Sequence, residues 1–377
     1  MIAFRRLILL AIGLWLGGWF QPVVAADAAV VGVNLVNEPY KLPPDQQESL
    51  LATMQSAGVR AIRASIPDDA NGLAFAQRVY AHGMQISWLV YPVTRAGTPF
   101  PRAPAGFEGM WRSPGLSTAD PVRFRELFTK ELADLEERGI KLAGLEFGNE
   151  INWVGSNADF PLPGKGRIFG LQDLYDDPEA KTIAAGFKLY ISSLAVLKEV
   201  RDHSRLNRTT PIISAGLAIG NASAGRSWNP ALDGVSIDAT LQFLRANGLD
   251  NLVDAYGVHT YPPADRPGAP DATADRLSRL EHIVFPECRA GGGGKPCWLT
   301  EWGFTEAGNG CPADDQTRLK LVQEVRSQLK TFVSQGRLTG LFYYTWEGHA
   351  GAPREDRFSV FLCGAVTPSG RLAISPM

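Results

Sequence analysis

One phrase recurs along the chain: a stretch with helical spacing stops at a glycine, and a β-rich run begins at once. It occurs at Ala57-Gly58-Val59 before RAIRAS and at His82-Gly83-Met84 before QISWLV. It returns at Arg138-Gly139-Ile140 before KLAGLEF and at Gln335-Gly336-Arg337 before LTGLFYY. Glycine just past a helix accepts the left-handed conformation that ends it, so these joints predict repeated helix-to-strand units. The helices carry start signals. Asp45 with Glu48 reads as a capping box before LLATM, and Asp120-Pro121 as a cap followed by proline at the first helical position. Phe124, Leu127, Phe128, Leu132 and Leu135 then fall on one face. Asp314 or Asp315 opens another helix, with Val322, Val325, Leu329, Phe332 and Val333 on one side, and a further long helix runs from about Ala180 to Val200.

The strands are short and apolar on both faces, as a buried parallel sheet requires. They are predicted at Val30–Val36, Ala61–Ile66, Gln85–Tyr91, Leu142–Asn149, Pro211–Gly216, Ala255–His259, Trp298–Trp302 and Leu341–Trp346. Eight strands with helices between most of them predict an α/β fold, a (β/α)8 TIM barrel. No linker divides the chain, so residues 27–377 read as a single domain. Only about thirty residues follow the last strand, rich in Gly, Pro and small side chains, so the eighth helix is expected to be short or missing.

Composition narrows the class. Hydrophobic residues are 45% and charged residues 20%, which excludes wholesale disorder. The formal net charge of -2 supplies no electrostatic footprint for nucleic acid. Arg5 and Arg6, the uncharged run from Leu7 to Phe20 and the small residues Ala25 and Ala26 have the order of a secretory signal peptide spanning residues 1–26. The competing reading is an uncleaved anchor. No later segment is expected to span a bilayer, and export to the periplasm or the medium follows from cleavage. Cysteine usage agrees with export: four cysteines, Cys288, Cys297, Cys311 and Cys363, make an even set. Their spacing lacks the close pairs of a zinc site. Cys288 and Cys297 both precede the seventh strand, whereas Cys311 and Cys363 follow the seventh and eighth on the opposite side. The expected pairs are therefore Cys288–Cys297 and Cys311–Cys363, the second stapling two neighbouring loops with about 2–4 kcal/mol of stabilisation.

In a barrel of this kind, reacting groups stand at the carboxyl ends of strands. Strand four ends in Asn149-Glu150, strand six in His259-Thr260-Tyr261, strand seven in Thr300-Glu301-Trp302 and strand eight in Tyr344-Thr345-Trp346, and strand two carries Arg63. Glu150 and Glu301 are the two strong candidates. A pair of carboxyl groups on opposite walls can attack an anomeric carbon and protonate its leaving oxygen. One must stay ionised and the other must hold a proton near neutral pH. Arg63 and Tyr261 suit the task of keeping Glu301 ionised. Asn149 and His259 could hydrogen-bond a sugar, and Trp346 offers a flat face for its ring. Glu146 shares phase with Glu150 but lies deeper, which suits a structural pair with Arg63. The long loop from Ile151 to about Pro178, carrying Trp153, Phe160, Phe169 and Tyr175, is either a sugar-binding wall or a self-packed loop.

LEFGNE (Leu145–Glu150) together with TEWGF (Thr300–Phe304) resembles glycoside hydrolase clan A, the retaining (β/α)8 group that includes cellulases, mannanases and β-xylosidases. GVHTYP (Gly257–Pro262) is similar to the clan's sixth-strand segment, Arg63 to its second-strand arginine and Trp346 to its eighth-strand tryptophan. Phe358–Gly370 loosely resembles the segment after strand eight. Ile151 departs from the pattern, since many members have proline after Asn-Glu. The resemblance implies Glu150 as acid/base, Glu301 as nucleophile and a β-linked glycan as partner, with no metal and no organic cofactor. It implies double displacement, with carboxyl groups about 5–5.5 Å apart. Two alternatives stay open: a transglycosylase on the same barrel, and a non-catalytic carbohydrate-binding or exopolysaccharide-associated protein.

Overall fold

A computed structural model describes residues 29–36, 38–67, 69–108, 110, 113–218, 229–262, 272–289, 293–305, 311, 314–347 and 357–377. The expected leader, residues 1–26, lies outside the described residues. Eight parallel strands form the centre: β1 Val30–Asn34, β2 Ala61–Ala64, β3 Gln85–Val90, β4 Gly144–Asn149, β5 Ile212–Gly216, β6 Tyr256–Thr260, β7 Cys297–Trp302 and β8 Leu338–Tyr343. Their spatial order is β5-β4-β3-β2-β1-β8-β7-β6. The remaining seam, between β5 and β6, is closed by parallel bridges at Ile213/Ala255 and Leu217/Val258. Hydrogen bonds from Ser214 N to Ala255 O (3.1 Å) and from His259 N to Leu217 O (3.1 Å) complete it. The sheet is therefore a barrel.

Around it lie α1 Pro44–Ser56, α2 Ala70–Ala81, α3 Pro121–Glu137, α4 Ala180–Asp202, α5 Ile237–Ala246, α6 Thr273–Arg279 with a π turn at Leu280–Val284, α7 Gln316–Ser334 and α8 Pro368–Ala373. The four glycine joints all carry positive φ, +88° at Gly58, +71° at Gly83, +72° at Gly139 and +68° at Gly336. Asp120 caps α3 by accepting from the N–H groups of Val122 and Arg123, with Pro121 at the first position. One start signal needs correction. Helix α1 begins at Pro44, so Asp45 sits inside the first turn and caps nothing; there it meets the positive end of the helix dipole. Asp315 opens α7 as expected, and its carboxylate accepts from Arg318 Nε (2.7 Å) and from Ser369 N and Oγ (both 2.6 Å). That bond set bolts the carboxyl-terminal segment to the barrel. In this segment α8 has six residues and is capped by Thr367, so the eighth helix is short.

Helix α4 corrects the expectation that no later segment could span a bilayer: it is 23 residues long and apolar enough by length and composition. Here its apolar side packs inward, with Phe187, Tyr190, Leu194 and Leu197 fully buried.

The barrel interior is layered. Its lower layer is a separate apolar cluster of Ala61, Ile213, Ala255, Trp298 and Phe342. Trp298 fits because the adjacent strand β8 and the more distant β4 carry glycine: a Cβ at Gly340 would stand 2.3 Å from the indole, and one at Gly144 2.9 Å. Above this plug the inward positions turn polar, and the candidate residues begin. The expected disulfides are both formed, Cys288–Cys297 with Cα atoms 5.3 Å apart and Cys311–Cys363 with Cα atoms 5.6 Å apart.

Candidate active site

Arg63 is the hub of the polar layer. Its Nε donates to Glu146 Oε2 (2.5 Å), Nη1 to Asn34 Oδ1 (2.7 Å) and Glu301 Oε1 (2.6 Å), and Nη2 to Glu146 Oε1 (3.1 Å) and Asn149 Oδ1 (2.7 Å). All five guanidinium N–H groups are used, as a buried arginine requires. Burial opposes its charge, but the carboxylates of Glu146 and Glu301 outweigh that and push its ionisation further up. Glu146 is the structural partner: it has no exposed surface and also accepts from Gly216 N (3.1 Å) and Thr300 Oγ1 (2.9 Å). Asn34 completes the layer by donating to Thr300 O (3.0 Å), a role the sequence reading missed because a lone Asn in an apolar strand carries no signal.

Glu301 stands above Arg63 at the end of β7. Its second oxygen accepts from the Tyr261 hydroxyl at 2.6 Å. Two donors thus hold both oxygens. The backbone explains its direction. Between Leu299 and Trp302, β7 carries one residue more than its neighbours, pairing Val258 with Leu299 and then His259 with Glu301. Toward β8 the same excess appears between Leu341/Leu299 and Tyr343/Trp302. This bulge lets Thr300 and Glu301, adjacent in sequence, both point inward.

Glu150 follows β4, where Gly148 (φ +82°) and Glu150 itself (φ +47°) break the extended run. A left-handed φ on a non-glycine residue is costly and is held here by the surroundings. Glu150 N donates to Gly216 O (2.8 Å), closing the turn against β5. Its Oε1 lies 3.0 Å from His259 Nδ1, and its Oε2 accepts from Trp153 Nε1 at 2.7 Å. Burial disfavours its charge, yet His259 and the Trp153 N–H outweigh that and hold its carboxyl below the usual carboxylate range. For His259, burial pushes ionisation down, and the carboxylates of Glu301 and Glu150 push it up by more. His259 Nδ1 is also 3.6 Å from Glu301 Oε2, so the imidazole stands between the two carboxyl groups. Its other face lies over Gly216, where a Cβ would come within 2.0 Å of Nε2.

One oxygen of Glu150, one ring nitrogen of His259 and one oxygen of Glu301 all lie within 4.8 Å of one another. Three such groups could also chelate a cation, but the Arg63 guanidinium beside Glu301 opposes a second positive charge there.

The structure brings Arg63, Asn149, Glu150, His259, Tyr261 and Glu301 together. Asn149 turns its oxygen to Arg63; among the described residues no acceptor takes its amide NH2. Trp346 is a correction. Strand β8 starts at Leu338, three residues earlier than expected, and so ends at Tyr343. Trp346 lies beyond it with 0% exposure, stacked on Phe361 at 5.5 Å, and shows no face to a sugar. Tyr344 takes the place by the mouth. It meets Tyr261 edge-on at 5.9 Å and Phe358 at 5.8 Å, and Phe358 meets Tyr261 at 5.3 Å. Tyr261 is 39% exposed while its hydroxyl reaches in to Glu301. In the loop after β4, Phe160 and Phe169 are core, whereas Trp153 is half-buried and reaches Glu150.

No family model matches the sequence, and no curated protein matches it. Solved structures do. The chain is similar to fungal β-1,4-galactanases (17% identity, 92% of this chain and 93% of that chain, TM-score 0.50). It is also similar to a monomeric β-xylosidase from Caulobacter crescentus CB15 (16% identity, 92% and 68%, TM-score 0.52). A third is an endo-laminarinase from Formosa Hel1_33_131 (12% identity, 90% and 86%, TM-score 0.52). At these identities the likeness is one of fold, the (β/α)8 barrel.

Proposed function

We propose that the chain is a retaining glycoside hydrolase acting on a β-linked oligo- or polysaccharide. The observation that carries this is the short distance between Glu150 and Glu301, an oxygen of each within 4.8 Å of the other at the barrel mouth. Retaining enzymes need a gap of about 5–5.5 Å, whereas inverting ones need about 6.5–9.5 Å to seat a water. Three structural neighbours, a galactanase, a xylosidase and a laminarinase by their names, support a glycan as partner.

Glu301, its two oxygens held by Arg63 and Tyr261, attacks the anomeric carbon. As that bond forms, Glu150 passes a proton to the departing oxygen. Glu150 must be loaded first, and His259 Nδ1, 3.0 Å away, is the nearest source. In the second half Glu150 takes a proton from water, the hydroxide adds to the anomeric carbon, and Glu301 leaves. Asn149 presents its amide NH2 to a ring hydroxyl, with its oxygen fixed by Arg63. The two disulfides support export behind a cleaved leader of residues 1–26, with residues 27–377 as one catalytic domain.

The test is reducing-end release from β-glucans, β-mannan, xylan and bacterial exopolysaccharides by the parent, Glu150→Ala and Glu301→Ala. Release by the parent with near-total loss in both variants is the expected result. Full release by Glu301→Ala would overturn the assignment. Glycan binding without turnover would favour a carbohydrate-binding protein.

A further inference from the structure

Trp153 is the one aromatic of the loop after β4 that touches a reacting group. Its indole N–H has no role but donation, and it donates to Glu150 Oε2 at 2.7 Å. The ring is held for this. Gly155 is buried beneath it, and a Cβ there would stand 2.2 Å from the indole Cζ2 and 2.6 Å from Cε2. The backbone is held too: Trp153 N donates to Glu150 O (3.2 Å), and Trp153 bridges Gly234 in the next loop. The Trp-x-Gly triplet is thus a local fold that aims one N–H at one carboxylate oxygen.

We propose that Trp153 is a positioning residue for the acid/base: seated on Gly155, its indole fixes the plane of the Glu150 carboxyl and sets how tightly that carboxyl holds its proton. This rests on the reading of Glu150 as acid/base. The reasoning is a count of donors. Glu150 has two protein donors, His259 at one oxygen and Trp153 at the other. Each favours the ionised form, and burial favours the neutral one. The charged and titratable groups facing Glu150 are His259 and Tyr261 from β6 and its end, Arg63 from β2 and Glu301 from β7. His259 itself titrates, its ionisation raised by the carboxylates beside it, so its effect varies with pH. Trp153 does not titrate, so it offsets burial by a constant amount. It keeps Glu150 a strong enough acid to release its proton to a poor leaving group.

The test reads Glu150 directly. In protein labelled with 15N-tryptophan, the Trp153 indole resonance is identified by its loss in Trp153→Phe. It should shift with pH in step with Glu150 and stay flat in Glu150→Gln. In protein labelled at the glutamate carboxyl carbon, the Glu150 midpoint should rise by about one pH unit in Trp153→Phe. Gly155→Ala, which keeps the indole and displaces it, should raise it likewise. On a substrate the panel identifies, the descending limb of kcat/KM should move to higher pH in both variants. A Trp153 resonance indifferent to pH and to Glu150→Gln overturns the proposal, and this needs only the parent and two conservative variants, Trp153→Phe to identify the resonance and Glu150→Gln. A Glu150 midpoint unmoved in both Trp153→Phe and Gly155→Ala overturns it too. A fully active Glu150→Ala protein would instead overturn the acid/base assignment and leave the titration result standing.

Discussion

Replacing Glu146 by glutamine tests the arithmetic of the buried polar layer. The carboxylate meets four donors: Arg63 Nε at Oε2, and Arg63 Nη2, Gly216 N and Thr300 Oγ1 at Oε1. A glutamine amide must turn its NH2 toward one side or the other. Facing Oε1's three partners, it loses the bonds from Arg63 Nη2 and Gly216 N, since only the Thr300 hydroxyl can turn to accept, so it will face Arg63 Nε and lose one. That bond was made to a charged donor and contributed about 1.5–3 kcal/mol. The new NH2 group, wholly buried, finds a donor opposite and costs about another 1–3 kcal/mol. Arg63 also loses one of its two anionic partners. The sum is about 2.5–6 kcal/mol, which brackets the about 3–5 kcal/mol for breaking a buried ion pair from one side. Urea unfolding followed by tryptophan fluorescence, with disulfides intact, should show the midpoint fall at unchanged slope. A loss under about 1 kcal/mol would refute the donor count. So would a full-size loss that simply added to that of Arg63→Leu in the double variant, since partners in one network couple.

Other expectations follow from the same geometry. Tyr261→Phe removes the hydroxyl that fixes one oxygen of Glu301 at 2.6 Å, so kcat should fall about tenfold while the urea midpoint stays nearly unchanged. An unchanged kcat would deny the hydroxyl that role. Cys311→Ser with Cys363→Ser opens a link 52 residues long and should cost about 3–4 kcal/mol in urea unfolding, more than the same change at Cys288 and Cys297, which are 9 apart. Equal losses would count against chain entropy as the cause. Trp346→Ala should destabilise by about 3–5 kcal/mol with KM unchanged, whereas Tyr344→Ala should raise KM at little cost in stability. The reverse pattern would restore Trp346 to the cleft.

Most of the barrel was legible because buried parallel strands are apolar runs and because glycine marks helix ends at Gly58, Gly83, Gly139 and Gly336. Glu150, Glu301, Arg63 and Tyr261 were legible from their places at strand ends. The errors share a physical source. Alternation gives the phase of a strand but not its first residue, so β8 was placed three residues late, and that displaced the aromatic at its end from Tyr344 to Trp346. Asn34 stayed invisible because its four partners come from three separate strands. The Trp153 contact depends on a loop shape set by Gly155 and Gly234, which no periodicity encodes. The capping role given to Asp45 failed because Pro44 is itself a better first residue.

The extra residue in β7 has a consequence for how this barrel can change. Two chains of equal strand length would superpose here, yet only the one with the insertion delivers its carboxylate to the cleft. Removing Thr300 alone would restore strict alternation and set the glutamate at the inward position that Thr300 now holds against Glu146, below the mouth. The glutamate would survive in the sequence and vanish from the chemistry. Any descendant that loses one residue between Leu299 and Trp302 inherits the barrel but not the pair of carboxyl groups. Gap placement in this strand therefore separates members able to form the pair from those that only share the scaffold.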